Sequence, residues 1–297
     1  MESLSGHFTK SVGLPGARLH FAAHSHHPWP DGTQAAQAQC WDDAARLLDA
    51  KWGHVFSSVL PAAQTHVAKR LNLSDPNTVV FAPNTHEFVR RLISALPAGR
   101  ASRILTTDSE FHSFARQVAR LEEDGLVEVT RVPAEPFATF AQRFIAELRE
   151  DHFDLVFLSQ VFFNSGWIVT EIADIVAAVR HDDTLIAIDG YHSFMAVPVD
   201  WSALQSRAFF SSGGYKYAMA GEGCCFMHCP PGFGPRPRDT GWYAEFGALA
   251  AARPGETAYG ADASRFAGST FDPSGLYRFN AAQDWFGTTG GDVAAHH

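Results

Sequence analysis

A single lysine, Lys216, stands between two tyrosines in the run SSGGYKYAMAGEG, residues 211–223. A lysine among small and apolar residues is costly to remove from water, so it needs a partner or a chemical role. One interpretation is a loop lysine whose amine reaches solvent. The other is a buried amine with a lowered pKa, which attacks a carbonyl carbon and forms a Schiff base. The residues elsewhere in the chain decide between the two.

Polar and aromatic residues follow several of the apolar runs. The run TVVFA is followed by PNTHE, 83–87, where the free N–H groups of a helix start and the hydroxyl of Thr85 make an anion site. The local sequence alone favours the other interpretation, in which Asn84 or Thr85 simply caps that helix. The later runs end beside Phe111 and His112, Ser159 and Gln160, and Asp189 and His192. These side chains indicate one ligand site at one edge of a sheet.

The elements that position these residues alternate between strands and helices. Apolar runs predict strands at 102–108, 125–132, 153–161 and 184–189, and helical spacing predicts helices at 34–52, 86–96, 112–123, 136–150 and 171–180. This order favours an α/β fold with parallel strands and helices on both faces of the sheet. In such sheets ligands bind at the carboxyl ends of the strands.

Two stretches carry a family resemblance. The stretches AIDGYHSFMAVPVD and FFSSGGYKYAMAGEG resemble pyridoxal phosphate enzymes of the aspartate aminotransferase fold (fold type I), in the class V aminotransferase group, and kynureninases in particular. TGWY (240–243) and RFAGSTFDPSGLYRFNAA (265–282) are similar to later segments of these enzymes. The resemblance spans about residues 20–286 and implies a large domain with a mostly parallel sheet.

The resemblance implies a role for each matching residue. Lys216 is the Schiff-base lysine, Asp189 pairs with the pyridinium nitrogen, and His192 lies near the ring. The other implied cofactor contacts are stacking by Phe111, a contact of Gln160 with the phenolic oxygen, and phosphate binding by Asn84, Thr85, Ser212, Tyr215, Trp242 and Thr270. In these enzymes the segment that contains Thr270 usually reaches across from a second subunit. The resemblance therefore also implies a homodimer with shared active sites.

The chain departs from the family pattern in three places. Gly213 and Gly214 stand where the family commonly has a phosphate-binding serine, and FFNSG (162–166) lacks the arginine of the kynureninase pattern. The C-terminal small domain, which normally supplies an arginine for the substrate carboxylate, is expected to be largely missing. Arg265 and Arg116 are then the candidates for that contact.

Composition limits the classes of partner. The chain has 297 residues, 46% of them hydrophobic, and a formal net charge of −9. We expect no binding to nucleic acid or to membranes, a small amino-acid substrate and, by default, a cytoplasmic location. The expected organisation is an N-terminal segment (1–30), a cofactor-binding domain (31–286) and a tail that begins a truncated small domain (287–297).

Histidines and cysteines leave alternatives open. His24, His26 and His27 in HSHHPWP are candidate zinc ligands, whereas CCFMHC (224–229) reads as a buried strand rather than a metal site. Three functions therefore remain: an active pyridoxal phosphate enzyme with kynureninase-like or aminotransferase chemistry, a truncated homologue that binds cofactor but is impaired, and a zinc protein. A desulfurase is the weakest form of the first, because no cysteine lies on a late mobile loop.

Overall fold

A seven-stranded sheet forms the centre of the protein in the computed structural model, which describes residues 4–12, 16, 19–246 and 255–296. The strand order is β1-β7-β6-β5-β4-β2-β3. The strands are β1 (Val79–Ala82), β2 (Ser102–Thr107), β3 (Val127–Val132), β4 (Leu155–Ser159), β5 (Leu185–Asp189), β6 (Phe209–Gly213) and β7 (Cys225–His228). The predicted α/β fold is confirmed, and CCFMHC contains strand β7.

Most neighbouring strands run parallel. Strands β2 to β6 pair in parallel, whereas β7 is antiparallel to both β1 and β6. Strand β1 therefore points in the same direction as β6, and the carboxyl ends of six strands share one edge of the sheet. Every residue of β4 is buried, as expected for a strand with helices over both faces.

Helices cover both faces of the sheet. They are α1 (Gly32–Leu47), α2 (Lys51–His54), α3 (Leu60–Leu71), α4 (Thr85–Ser94), α5 (His112–Glu123), α6 (Phe140–Glu150), α7 (Ile172–Ala178), α8 (Ser274–Thr288) and α9 (Val293–His296). Residues of α1, α3, α6, α7 and α8 contribute to one apolar core, and residues of α4 and α5 contribute to the other. Among the described residues, no helix has the length and apolar character that a membrane span requires.

The strand register aligns the residues at the carboxyl edge. Asp189 pairs with Ser159 of β4 on one side and with Ser211 of β6 on the other. Because side chains alternate between the two faces of a strand, this register fixes the face on which Asp189 lies. The carboxyl edge of the sheet therefore positions the residues of the site.

Candidate active site

Lys216 lies at the carboxyl edge, three residues after β6, with its side chain buried. Its Nζ atom is 2.8 Å from Nε2 of His192 and 4.6 Å from the ring centroid of Tyr191. Burial lowers the pKa of the amine to about 8, although the negative charge of Asp189 opposes the shift. The amine therefore does not reach solvent, which argues against the surface-loop interpretation.

The backbone around Lys216 forms a closed turn. The N–H of Met219 donates to the Lys216 carbonyl at 3.0 Å, and the N–H of Ala220 donates to the Gly214 carbonyl at 2.8 Å. Gly221 follows with φ +73°, and a Cβ there would lie 2.3 Å from the ring of Trp29. This close approach requires glycine and packs the N-terminal segment against the turn.

Asp189 is the last residue of β5. Its Oδ1 accepts a hydrogen bond from the Tyr191 N–H at 2.8 Å. Burial raises the pKa of the carboxyl, while the Tyr191 N–H and the charge of Lys216 oppose the rise. Asp189 and Lys216 line the same cavity but form no ion pair with each other among the described residues. A cationic or N–H-bearing ligand between them would stabilise the carboxylate.

His192 lies beside the Lys216 amine at the end of the turn that follows β5. Burial, then the charges of Lys216 and His24, lower the pKa of the imidazole to about 4. The ring is therefore neutral at pH 7 and can accept a hydrogen bond from the ammonium form of Lys216 or donate one to the neutral amine. It restricts the position of the amine without adding a second positive charge.

Glu110, which the sequence analysis missed, lies next to the cavity and bonds to Ser159 in its lining. It is buried, and its carboxyl accepts hydrogen bonds from the Thr107 hydroxyl at 2.7 Å and from the N–H and hydroxyl of Ser159 at 3.1 and 2.6 Å. Burial raises its pKa to about 7, against the effect of these bonds, and the Asp189 charge adds to the rise. The sequence feature that could have identified Glu110 is its position directly before Phe111, shortly after the end of β2.

The start of α4 forms one wall of the site. Asn84 is the N-cap, and its Oδ1 accepts the Glu87 N–H at 3.1 Å. Asn84, Thr85 and His86 line the cavity, so the positive end of this ten-residue helix faces it. Asn84 thus has the capping role, and the position still suits an anion.

A cavity of about 370 Å³ brings these groups together. Of the predicted cofactor residues, it is lined by Asn84, Thr85, Phe111, Asp189, His192, Tyr215 and Lys216. The ring of Phe111 lies 5.3 Å from Nζ of Lys216, close enough to form a wall for a flat ligand. Residues that follow β1, β2, β5 and β6 therefore converge on one cavity.

Gln160 lies next to this cavity without lining it. Its backbone N–H donates to the Asp189 carbonyl at 2.9 Å. Its side-chain Oε1 is buried and has no hydrogen-bond partner in the structure. A buried polar atom without a partner is unfavourable, so a ligand group that pairs with this amide would stabilise the site.

Gly213 is surrounded too closely for any larger residue. A Cβ there would lie 2.3 Å from the Tyr191 hydroxyl and 2.5 Å from Sγ of Cys225. The Tyr191 hydroxyl itself lies 3.4 Å from that sulfur. Tyr191 thus fills the space in which a serine side chain would lie, and this accounts for one of the glycines that depart from the family pattern.

Ser212, Arg265 and Arg116 are also outside the cavity lining. The Ser212 hydroxyl is fully buried and donates to the Gly190 carbonyl at 3.2 Å. The buried Arg265 guanidinium donates to the carbonyls of Phe233, Asp262 and Pro230. This geometry does not support Ser212 as a phosphate contact or Arg265 as a carboxylate contact, because both polar groups are already paired. Arg116 is exposed on α5.

Trp242 and Thr270 lie together away from the Lys216 cavity. The Trp242 Nε1 donates to the Thr270 hydroxyl at 3.3 Å, and both residues are exposed. Thr270 lines a separate cavity of about 570 Å³ beside β1. Within one chain these two residues therefore do not contact the cavity that contains Lys216.

The histidines of HSHHPWP do not converge. His26 stacks on Tyr215 with ring centroids 5.1 Å apart, whereas Nδ1 of His27 lies 3.0 Å from the Pro28 carbonyl. Among the residues described, these histidines are absent from the group whose ligand atoms could surround a metal. The geometry therefore does not support the zinc interpretation.

Comparison with known proteins identifies the family. A sequence model of the aminotransferase class V family matches residues 49–296. This chain belongs to the class V aminotransferases. The predicted membership is confirmed, and the matched region includes every cavity residue from Asn84 to Cys225.

The curated relatives of this class V aminotransferase are cysteine desulfurases. IscS of Aeromonas salmonicida is 26% identical over 184 residues, and IscS of Aeromonas hydrophila is 25% identical over the same length. The alignment covers 61% of this chain but only 45% of each relative. The reaction named for these relatives is therefore a proposal for this chain, and closeness to kynureninase stays a prediction.

Solved structures share the fold. The cystine C–S lyase C-DES, in complex with its reaction product cysteine persulfide, has 19% identity and a TM-score of 0.74; the match covers 91% of this chain and 72% of the lyase. A C-DES variant with glycine covalently linked to its pyridoxal phosphate has 17% identity and a TM-score of 0.77, covering 96% and 74%. The aspartate aminotransferase fold is confirmed.

The cofactor of this class V aminotransferase is pyridoxal 5'-phosphate, as predicted. The cavity fits it, because Lys216 is a buried amine with a lowered pKa and Asp189 is a partly buried carboxyl that forms no ion pair within the described residues. The unpaired Oε1 of Gln160 and the α4 N-terminus add groups suited to a polar ring substituent and to a phosphate.

Proposed function

We propose that the protein is a pyridoxal phosphate-dependent enzyme that acts on a small amino acid, with Lys216 as its covalent and proton-transferring residue. The Lys216 amine supports the proposal most strongly: it is buried, lies 2.8 Å from a neutral His192 and has a pKa of about 8. When bound, pyridoxal phosphate supplies an electron sink for the charge left when a bond to the substrate's α-carbon breaks.

The surrounding residues hold and orient the cofactor in this proposal. Asp189 would accept a hydrogen bond from the ring nitrogen and keep that nitrogen protonated, and Phe111 would pack against the ring. Gln160 would contact the phenolic oxygen, either by donating from its amide N–H or by accepting a hydrogen bond from the protonated phenol at its unpaired Oε1. The N-terminus of α4, with Asn84 and Thr85, binds the phosphate.

Lys216 then transfers the α-proton in this proposal. A pKa of about 8 leaves part of the amine neutral near pH 7, so the same group can remove a proton and return it. His192 holds the amine from one side, and the Tyr191 ring lies beneath it. The amine is therefore positioned before any substrate binds.

Cleavage at the substrate's β-carbon is the reaction class that we favour, with a sulfur amino acid such as cysteine or cystine as substrate. It is the chemistry named for the desulfurase relatives and for the lyase that shares the fold. All four cysteines of this chain are buried, and burial raises the pKa of each thiol. We therefore propose that sulfur leaves as a small molecule rather than on a thiol of this chain.

An absorbance spectrum with borohydride trapping tests the cofactor role. We expect a visible band after addition of pyridoxal phosphate, which borohydride converts into a permanent adduct on the peptide that contains Lys216. Lys216→Ala should lose the band and the adduct, whereas Lys69→Ala, at an exposed position in the last turn of α3, should keep both. An adduct that persists in Lys216→Ala would contradict the proposal.

A substrate panel then separates the reactions. L-Cysteine should yield sulfide, and L-cystine should yield cysteine persulfide, each with pyruvate and ammonia. Release of anthranilate from L-kynurenine would instead indicate kynureninase chemistry, and amino transfer to a 2-oxo acid would indicate an aminotransferase. A protein that forms the Lys216 adduct but turns over none of these amino acids would be the impaired homologue.

A further inference from the structure

Two histidines and one aspartate cluster at the amino-terminal edge of the sheet. His152 precedes β4, and His181 and Asp183 precede β5. One ligand atom of each lies within 4.8 Å of the others. The two strands end at Ser159 and Asp189, so their length separates this cluster from the Lys216 cavity. It is therefore independent of the site described above.

The spacing of the ligand atoms suits a small divalent metal ion. Nε2 of His152 lies 3.3 Å from Oδ1 of Asp183, and the rings of His152 and His181 have centroids 4.3 Å apart. Two ligands of a tetrahedral Zn²⁺ at the usual bond lengths are roughly 3.3 Å apart. We propose that His152, His181 and Asp183 bind Zn²⁺, with water as the fourth ligand.

Buried hydrogen bonds hold the two loops that carry these ligands. The hydroxyl of Thr184 donates to the Phe153 carbonyl at 2.6 Å, and the N–H of Leu185 donates to the Asp154 carbonyl at 2.9 Å. Thr184 is buried although its neighbour Asp183 is exposed. Each loop is thus fixed one or two residues from its ligand, which limits the rearrangement needed to close around an ion.

Nearby arginines bind the loop backbone, and Arg207 and Arg100 also act on the Asp183 charge from a distance. Arg207 donates to the carbonyls of His181 and Thr184 at 3.0 and 2.9 Å. Arg103 pairs with Asp151 and donates to the His152 carbonyl. In the part of the chain that the structure describes, no arginine forms an ion pair with Asp183, whose partner is His152. The carboxylate is therefore available to a cation.

Calorimetric titration of the untagged holoprotein with Zn²⁺ tests the site. We expect one ion per chain, and Co²⁺ in its place should give the visible bands of a four-coordinate ion. His152→Ala, His181→Ala and Asp183→Asn should each weaken Zn²⁺ binding at least about tenfold. All three residues lie at the surface, so the variants should keep the unfolding temperature of the metal-free protein.

Two control variants address other surface ligands. His66→Ala removes another histidine–aspartate pair, between the half-buried His66 and the exposed Asp284 at 3.3 Å, and should leave Zn²⁺ affinity unchanged. His26→Ala should also leave it unchanged. Absence of Zn²⁺ binding, equal affinity in the three ligand variants, or loss of binding in His26→Ala would overturn the proposal. The absorbance of bound pyridoxal phosphate should not respond to Zn²⁺, because the cluster is remote from Lys216.

Discussion

Burial determines the protonation of the main side chains at the site. It lowers the pKa of Lys216 to about 8 and that of His192 to about 4, and it raises that of Glu110 to about 7. Relative to an ordinary lysine, a pKa of 8 increases the neutral fraction of the amine at pH 7 by roughly 300-fold. A nucleophilic amine at neutral pH therefore follows from its apolar surroundings.

The rate at which Lys216 captures the cofactor should depend on this pKa. Below pH 8 most of the amine is protonated, and the protonated form cannot attack, so the rate should rise with pH and level off above a midpoint near pH 8. Stopped-flow absorbance of cofactor-free protein mixed with pyridoxal phosphate measures this rate at each pH. The same reaction with Nα-acetyllysine corrects for ionisation of the cofactor. A midpoint near that of a free lysine would contradict a desolvated amine.

Glu110 should make stability fall as pH rises. Its pKa is raised from 4.5 to about 7 on folding. Its contribution to the free energy of unfolding is therefore complete below pH 4.5 and decreases until about pH 7. A pKa shift of this size corresponds to a change of roughly 3 kcal/mol in the free energy of unfolding. Glu110→Gln keeps acceptors and donors for Thr107 and Ser159 but cannot ionise.

Urea unfolding of the cofactor-free protein at pH 5 and pH 8 checks this expectation. The stability difference between the two pH values should be smaller in Glu110→Gln than in the wild type by a few kcal/mol. Glu147→Gln, at an exposed position on α6, should behave like the wild type. An unchanged pH dependence in Glu110→Gln would show that the carboxyl is not desolvated.

At the scale of single residues, the sequence predicted the side chains that stand at strand ends and missed those that depend on packing. Lys216, Asp189 and Phe111 follow apolar runs, and all three line the cavity. Ser212 and Arg265 were assigned by motif, but their polar groups are used by backbone carbonyls within the fold. Pairing of that kind depends on tertiary contacts that a motif does not encode.

The helix α4 combines two functions at its first turn. Asn84 caps the helix, and the same N-terminus faces the cavity. Asn84→Asp should keep the cap, because both residues are good N-caps, but it places a carboxylate where the phosphate is proposed to bind. We expect unchanged stability and a cofactor affinity at least about tenfold weaker, from charge repulsion.

Asn84→Ser is the matched control, since it caps the helix without a charge. Equilibrium titration of each variant with pyridoxal phosphate gives the affinity, and thermal unfolding gives the stability. The serine variant should bind the cofactor nearly as well as the wild type. Equal affinity in the aspartate variant would place the phosphate elsewhere.

At the scale of elements, the sequence predicted whether a segment is a helix or a strand better than it predicted where each element begins and ends. Helix α5 was predicted with the observed limits, His112–Glu123. The single predicted helix at 34–52 is instead α1 followed by a 3₁₀ turn at Leu48–Ala50 and the short α2. The interruption falls at Leu48, whose φ is 52°, so α-helical geometry cannot continue through it.

At the scale of the whole molecule, one chain leaves two predicted cofactor residues unused. Trp242 and Thr270 are exposed and bonded to each other, outside the Lys216 cavity. The family resemblance implies that the segment containing Thr270 reaches across from a second subunit. We therefore propose a homodimer in which Thr270 contacts the phosphate held by the partner.

Sedimentation velocity and cofactor titration test this arrangement. The protein should sediment as a dimer, and Thr270→Val should weaken pyridoxal phosphate binding several-fold because it removes only a hydroxyl. Thr139→Val, at an exposed hydroxyl near α6, should not change the affinity. A monomer that binds the cofactor with full affinity, in the wild type and in Thr270→Val, would show that one chain completes the site.

The pairing of Asp189 between Ser159 and Ser211 also limits which length changes the gene can tolerate. Deletion of one codon within β5 shifts that strand by one position and turns the carboxylate toward the opposite layer of helices, even if the protein still folds. A deletion in the connection before β6 is absorbed by the loop and leaves the pairing intact. Loss of one codon inside the strand therefore abolishes the role of Asp189 without a missense change at that residue.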